Sequence, residues 1–181
     1  KKSQKFANNI FTLLIVGLFF LVLVIEIMMP IFVFLIAPGF EGDYKKMELA
    51  ITLTRITFPF LMFISLASFF SAILNSHNKF AVASAAPIIL NILLIGVLLF
   101  GKILNDELVY YLSYAVTISG LLQLIFLYFF VKKHFSPKIN LSFKIDNKVK
   151  LFFKKLLPSI FSSGVTQINI LVGTIIASFQ A

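Results

Sequence analysis

Apolar residues run along this 181-residue chain in five stretches, residues 10–36, 50–74, 80–100, 108–131 and 156–179, and most of the charge falls between them. About 20 residues at a rise of about 1.5 Å cross a hydrocarbon core of about 30 Å, so each stretch is long enough to span a bilayer as an α-helix. The first is longer and is expected to tilt or to begin in the headgroup layer. Pro30, Pro59 and Pro158 lie inside the stretches. They predict kinks rather than breaks, because neighbouring helices can satisfy the carbonyls that a proline frees. The pattern predicts an all-α fold, a polytopic transmembrane helix bundle with five spanning helices.

Small and polar residues recur at helical spacing within the runs. Ser65, Ser68, Ala72 and Asn75 form one such row, and Ser113, Thr117, Gly120 and Leu124 another, with Gln123 beside it. Rows of this kind predict close helix packing. The last run is more polar. Ser162, Thr166, Asn169 and Gly173 share a stripe flanked by Ser159, Ser163 and Gln167. Amides are costly in hydrocarbon, so this edge is expected to face a cavity or a wet interface rather than lipid.

Composition fixes the class. Apolar residues make up 60% of the chain and charged residues 13%, and 23 residues are Phe, which is the make-up of an integral membrane protein. Cysteine and tryptophan are absent, so no disulfide or thiolate metal site is possible and Tyr and Phe serve as the interfacial aromatics. The chain opens on KKSQKFANN and stops at SFQA inside an apolar run, and is read as an internal piece of a longer protein. Its first run is too long for a signal peptide and lacks a small-residue cleavage site.

The lysines orient the spans. Residues 1–5, the turn at Lys79 and residues 132–155 carry twelve cations against one acid, Asp146, whereas residues 39–49 and 101–107 carry three lysines against five acids. By the positive-inside tendency the lysine-rich side, including residues 132–155, is cytoplasmic. The formal charge of +9 then needs no nucleic acid, because a basic membrane face meets anionic lipid. Within residues 143–155, Val149, Phe152, Phe153 and Leu156 fall along one face between lysines. That pattern predicts a helix lying on the bilayer surface, with a solvated linker as the alternative.

Two full charges lie inside apolar runs, Glu26 and Arg55. Each costs about 3 kcal/mol near mid-membrane, less than a long apolar helix gains on insertion. Counted from the outer ends, Glu26 lies about ten residues (about 15 Å) deep and Arg55 about five (about 8 Å), on consecutive antiparallel helices. Arg55 can snorkel to the headgroups, pair with Glu26 or line a cavity. Glu26 is too deep to snorkel and calls for a partner or a watered cavity.

The motifs APGF at residues 37–40, RITFPFLMFISLASFFSAILNSHNKFAVASAAPIILNILLIG at 55–96, then AVTISGLLQL and QINILVGTIIASF, occur in this order. Through them essentially the whole chain resembles the MurJ (MviN) family of lipid II flippases. The resemblance implies part of a fourteen-helix, two-lobe, MATE-like transporter in the bacterial cytoplasmic membrane, with the five runs similar to helices three to seven. Residues 1–155 would belong to the first lobe and 156–181 to the first helix of the second. It further implies movement of lipid II, an undecaprenyl-pyrophosphate-linked disaccharide-pentapeptide, from the inner to the outer leaflet by alternating access.

The partners so implied are lipid II, membrane lipids and the remaining helices of the same chain, with no cofactor or metal. The arginines that family members use for pyrophosphate lie on helices this chain lacks, so the piece alone is expected to be inert. The candidate cavity residues are Glu26, Arg55, Ser162, Thr166, Gln167 and Asn169. Gly164 and Gly173 are candidates for bending of the last helix. A polysaccharide-lipid or multidrug exporter of the same superfamily is the alternative. A lipid-modifying membrane enzyme would need a clustered acid, base or metal set, and His77 and His134 are read as sitting singly in turns.

Overall fold

The computed structural model describes residues 2–101, 107–139 and 147–180, and within them every regular element is helical. In chain order these are α1 (Lys2–Ile27), α2 (Met29–Ile36), a 3₁₀ turn (Pro38–Phe40), α3 (Tyr44–Thr57), α4 (Phe60–Ser76), α5 (Phe80–Ala85), α6 (Ile88–Leu99), α7 (Leu108–Val131) and α8 (Asn147–Ser178). By length and composition four spans qualify for crossing a membrane: Gln4–Ile27, Tyr44–Ser76, Phe80–Leu99 and Leu108–Val131. A fifth is formed by the two halves of α8, Val149–Phe161 and Ser163–Ser178, bent by 42°.

The prolines explain the segmentation. Pro30 stands in the first turn of α2, two residues after Met28 leaves helical geometry, and the ladder resumes at once as Phe32 N–H donates to Met28 O at 3.0 Å. The first apolar run is therefore two helices, and its spanning part starts earlier and ends earlier than the run itself. At Pro59 the chain takes a tighter step, with Leu61 N–H donating to Phe58 O at 3.0 Å before α4 continues. Pro87 separates α5 from α6 in the same way. A proline removes one rung and clashes with the carbonyl four residues back, which bends an apolar helix without exposing much backbone.

The helix expected to lie on the surface over residues 143–155 is not a separate element. Residues 143–146 fall outside the described residues, and from Asn147 the chain is already the first turn of α8, continuous into the last span. Val149 is fully buried, and the Phe152 ring meets Phe6 of α1 edge-on at 6.3 Å.

The main contact is α4 against α7, with α1 packed across α4. Phe11, Leu66, Ala67, Phe70, Leu74, Leu127, Val131 and Phe135 form its buried core. This core lies toward the lysine-rich end, where Phe11 stacks on Phe70 at 5.4 Å and Lys138 N–H donates to Asn8 Oδ1 at 3.1 Å. The outside is apolar, with Phe20, Ile27, Ile92 and Leu99 more than half exposed, as a lipid-facing surface requires.

The two rows of small residues behave differently. On α7, Ser113, Ser119, Gly120 and Gln123 are buried, and the Thr117 hydroxyl donates to Ile56 O of α3. On α4 the buried residues are Leu66, Ala67, Phe70 and Leu74, whereas Ser68, Ala72 and Asn75 are exposed. The packing expected of that row is not made here: Ser68 returns its hydroxyl to Ile64 O at 2.8 Å and needs no partner helix.

A Cβ on Gly120 would lie 2.6 Å from Phe60 Cδ2 and 3.2 Å from Phe63 Cβ. Gly120→Val is therefore expected to cost about 1–3 kcal/mol of stability through overpacking, and Gly120→Ala less, read as the shift in thermal unfolding in detergent.

Candidate functional site

Glu26 and Arg55 come together in one groove. It has a volume of about 590 Å³ and is lined by Phe19, Val22, Leu23, Glu26 and Ile27 of α1 and by Arg55 of α3. The positions follow from the backbone. Glu26 is one residue before the end of α1 and Arg55 two before the end of α3. From α1 the chain runs onward through α2, the turn at Pro38–Phe40 reverses it, and α3 packs back along α2, which puts Arg55 in the groove with Glu26. Both charges also sit four residues ahead of a proline, Pro30 and Pro59. In a regular helix the N–H at those positions would meet the carbonyls of Glu26 and Arg55, so each charged residue stands where the ladder loses a rung.

The groove is apolar except for this acid and base. Glu26 is half-buried, and its Oε1 is fully enclosed without a hydrogen-bond partner. Arg55 is exposed, and its charge acts on the Glu26 carboxylate through space. The only ion pair within 4.0 Å among the described residues is Lys46–Asp43 at the head of α3, where Asp43 also caps the helix by accepting from Lys46 N–H at 3.2 Å. Glu26 and Arg55 are thus neighbours without a closed salt bridge. Among the described residues two other enclosed atoms lack partners, Asn9 Oδ1 and Gln123 Nε2, and neither residue lines the groove.

The polar edge of the last span lies elsewhere. Thr166, Gln167 and Asn169 are exposed along the middle of α8, and the side chain of Ser162 falls outside the described residues. The structure does not bring this edge onto the Glu26–Arg55 groove. The 42° bend separates Phe161 from Ser163, directly before Gly164, and a Cβ on either Gly164 or Gly173 would meet open space. The far end of α8 is anchored. Gly39 N–H donates to Ser178 Oγ at 3.0 Å, and Ser178 is buried.

His77 and His134 are not the isolated turn residues the sequence implied. Their rings stack, with centroids 4.6 Å apart and planes 30° from parallel. His77 follows α4 and His134 follows α7, and these helices run in the same direction, so their ends converge. That shared direction was the available signal. Among the described residues no cluster of three or more metal-ligating side chains occurs.

Comparison with known proteins gives one consistent result. A family model described as "Lipid II flippase MurJ" matches residues 1–181. The chain is 37% identical over 99% of its length to the "Probable lipid II flippase MurJ" of Rickettsia prowazekii, covering 35% of that protein. It is 35% identical over 97% of its length to the protein of the same description from Rhizobium tropici, covering 34% of it. The "Lipid II flippase MurJ" of Burkholderia cenocepacia is 35% identical over 81% of the chain, covering 29% of that protein. The chain thus spans about a third of the length of the curated relatives it matches.

Proposed function

The chain belongs to the lipid II flippase MurJ family, and on that premise we propose that it supplies five spanning helices of a longer flippase that moves lipid II across the bacterial cytoplasmic membrane. The observation that carries the reading is the acid and base held unpaired in one groove within apolar spans. Full charges inside apolar spans cost free energy on insertion, up to about 3 kcal/mol each at the helix centre, and a purely structural bundle has no use for them.

Lipid II presents two chemistries, a charged and sugar-bearing head that must avoid hydrocarbon and a polyprenyl tail that belongs in it. A groove open to the side serves both, taking the head while the tail stays in lipid. Arg55 offers a guanidinium to anionic groups of the head, the pyrophosphate itself falling to helices outside this chain, and Glu26 accepts hydrogen bonds from sugar hydroxyls or peptide N–H groups. The α8 edge of Thr166, Gln167 and Asn169, with Ser162 on the same stripe in sequence, is apart from this groove and supplies a second polar surface to the cavity of the whole protein. The bend beside Gly164, with Gly173 beyond it, lets the helix swing as lobes rock between inward and outward access. Residues 1–155 then belong to one lobe and 156–181 begin the other. The lysine-rich connection at residues 132–155 faces the cytoplasm.

The test is rescue of a flippase-depleted bacterium by a full-length flippase carrying this segment. Rescue is expected, and Asn169→Leu is expected to reduce it severalfold at equal abundance. Failure of the unsubstituted protein to restore growth would contradict the function, and full activity of Asn169→Leu would remove α8 from the path.

A further inference from the structure

We propose that a notch on the lysine-rich face, between the turn after α4 and the end of α7, holds the phosphate of an anionic phospholipid as a bound ligand distinct from any transported one. The notch has a volume of about 370 Å³ and is lined by Leu74, Lys79, Val82, Phe130, Lys133 and His134. Its floor is apolar, with Leu74 fully buried, and its rim is cationic. That combination fits a phosphodiester whose acyl chains lie along the apolar wall, and it matches free phosphate less well because an ion gains nothing from the floor.

The rim is built rather than incidental. Asn78 adopts the left-handed conformation at φ 59°, Asn78 N–H donates to Asn75 O at 3.0 Å, and Lys79 N–H donates to Leu74 O at 2.9 Å. This pair of bonds closes α4 as a Schellman turn and fixes where Lys79 leaves the backbone. Opposite it, His134 N–H donates to Val131 O at 2.9 Å, which turns the chain after α7 and sets Lys133 and His134 on the notch. The His134 ring is braced by stacking on His77. His77 is itself oriented by Nδ1, 2.9 Å from Ile73 O. A carbonyl can only accept, so Nδ1 carries the proton.

Lys132 is not part of the site, since its Nζ sits 4.9 Å over the Phe129 ring. Among the described residues no carboxylate pairs with Lys79 or Lys133. Two unneutralised cations over an apolar floor, at the level where the inner headgroups lie, select an anionic lipid.

The experiment places the full-length flippase in phosphatidylcholine nanodiscs doped with phosphatidylglycerol and measures retained phosphatidylglycerol by native mass spectrometry. Each lysine near the surface contributes about fivefold, so the Lys79→Gln/Lys133→Gln pair is expected to weaken retention about 30-fold. Lys79→Arg/Lys133→Arg is expected to keep it, as is Lys45→Gln/Lys46→Gln on the opposite face. The single Lys133→Gln, at an exposed position beyond α7, is expected to show its own fivefold or so should the pair fail to fold. Unchanged retention in the glutamine variants would overturn the proposal, and so would inorganic phosphate displacing the lipid at equal concentration, which would make the notch an ion site only. The readout does not involve transport, so its failure and the failure of the flippase reading are separable.

Discussion

Glu26→Leu is expected to make the full-length protein more stable and at the same time to abolish growth rescue. The stability half follows from Glu26 Oε1, which is enclosed without a hydrogen-bond donor. An unsatisfied buried polar atom costs about 1–3 kcal/mol, more when it is charged, and Glu26, next to last in its span, adds an insertion cost below the roughly 3 kcal/mol of an acid at the helix centre. Leucine removes both costs and suits the apolar lining of Phe19, Val22, Leu23 and Ile27. The functional half follows from the same groove, since leucine offers nothing to a polar head. Glu26→Gln keeps an acceptor without the charge and is expected to fall between the two. Melting temperature in detergent and growth of the depleted strain are the paired readouts. A gain in stability with normal growth would make Glu26 a burden without a role.

Gly39→Val is expected to detach the end of α8 from the Pro38–Phe40 turn. A Cβ on Gly39 would overlap the backbone carbonyl of Ser178 and crowd Phe179 N. These are backbone atoms, so no rotamer change relieves the clash and the two segments must separate. Separation breaks the Gly39 N–H bond to Ser178 Oγ and exposes Ser178, itself tied to Ile175 O at 2.7 Å. The expected loss is about 1–3 kcal/mol, at the overpacking scale, and Ser178→Ala is expected to cost about 1 kcal/mol by leaving one N–H unmet. Because α8 bends in the proposed cycle, Gly39→Val is also expected to impair rescue more than its stability loss accounts for. Thermal unfolding and growth at matched abundance separate the two effects.

The spans were legible because hydrocarbon-facing helices need no pattern beyond length and apolarity, and Leu108–Val131 coincides with its apolar run. Glu26 and Arg55 were legible as charges inside apolar runs, whereas their sharing one groove was one of three alternatives the sequence allowed for Arg55. Contacts across large separations in sequence were not. His77 and His134 stack although 57 residues apart, and Gly39 meets Ser178 across 139 residues. Periodicity marks a face without naming its partner, so the Ser68 row and the α7 row read alike although only the second is buried against a neighbour. The turn at Pro30 shows a further limit. Apolar content continues through Met28, and only the lost backbone rung ends α1 at Ile27.

The central claim is that the Glu26–Arg55 groove is reached by water and by the polar head of the cargo. This chain has no cysteine, so Glu26→Cys introduces one reporter within it, with Ile92→Cys on the exposed apolar flank of α6 as the control. In membranes, with cysteines elsewhere in the full-length protein replaced, a hydrophilic thiol reagent is expected to label position 26 and spare position 92, and lipid II is expected to protect position 26. Labelling at 26 no faster than at 92 would show the groove facing hydrocarbon, and the account would be wrong.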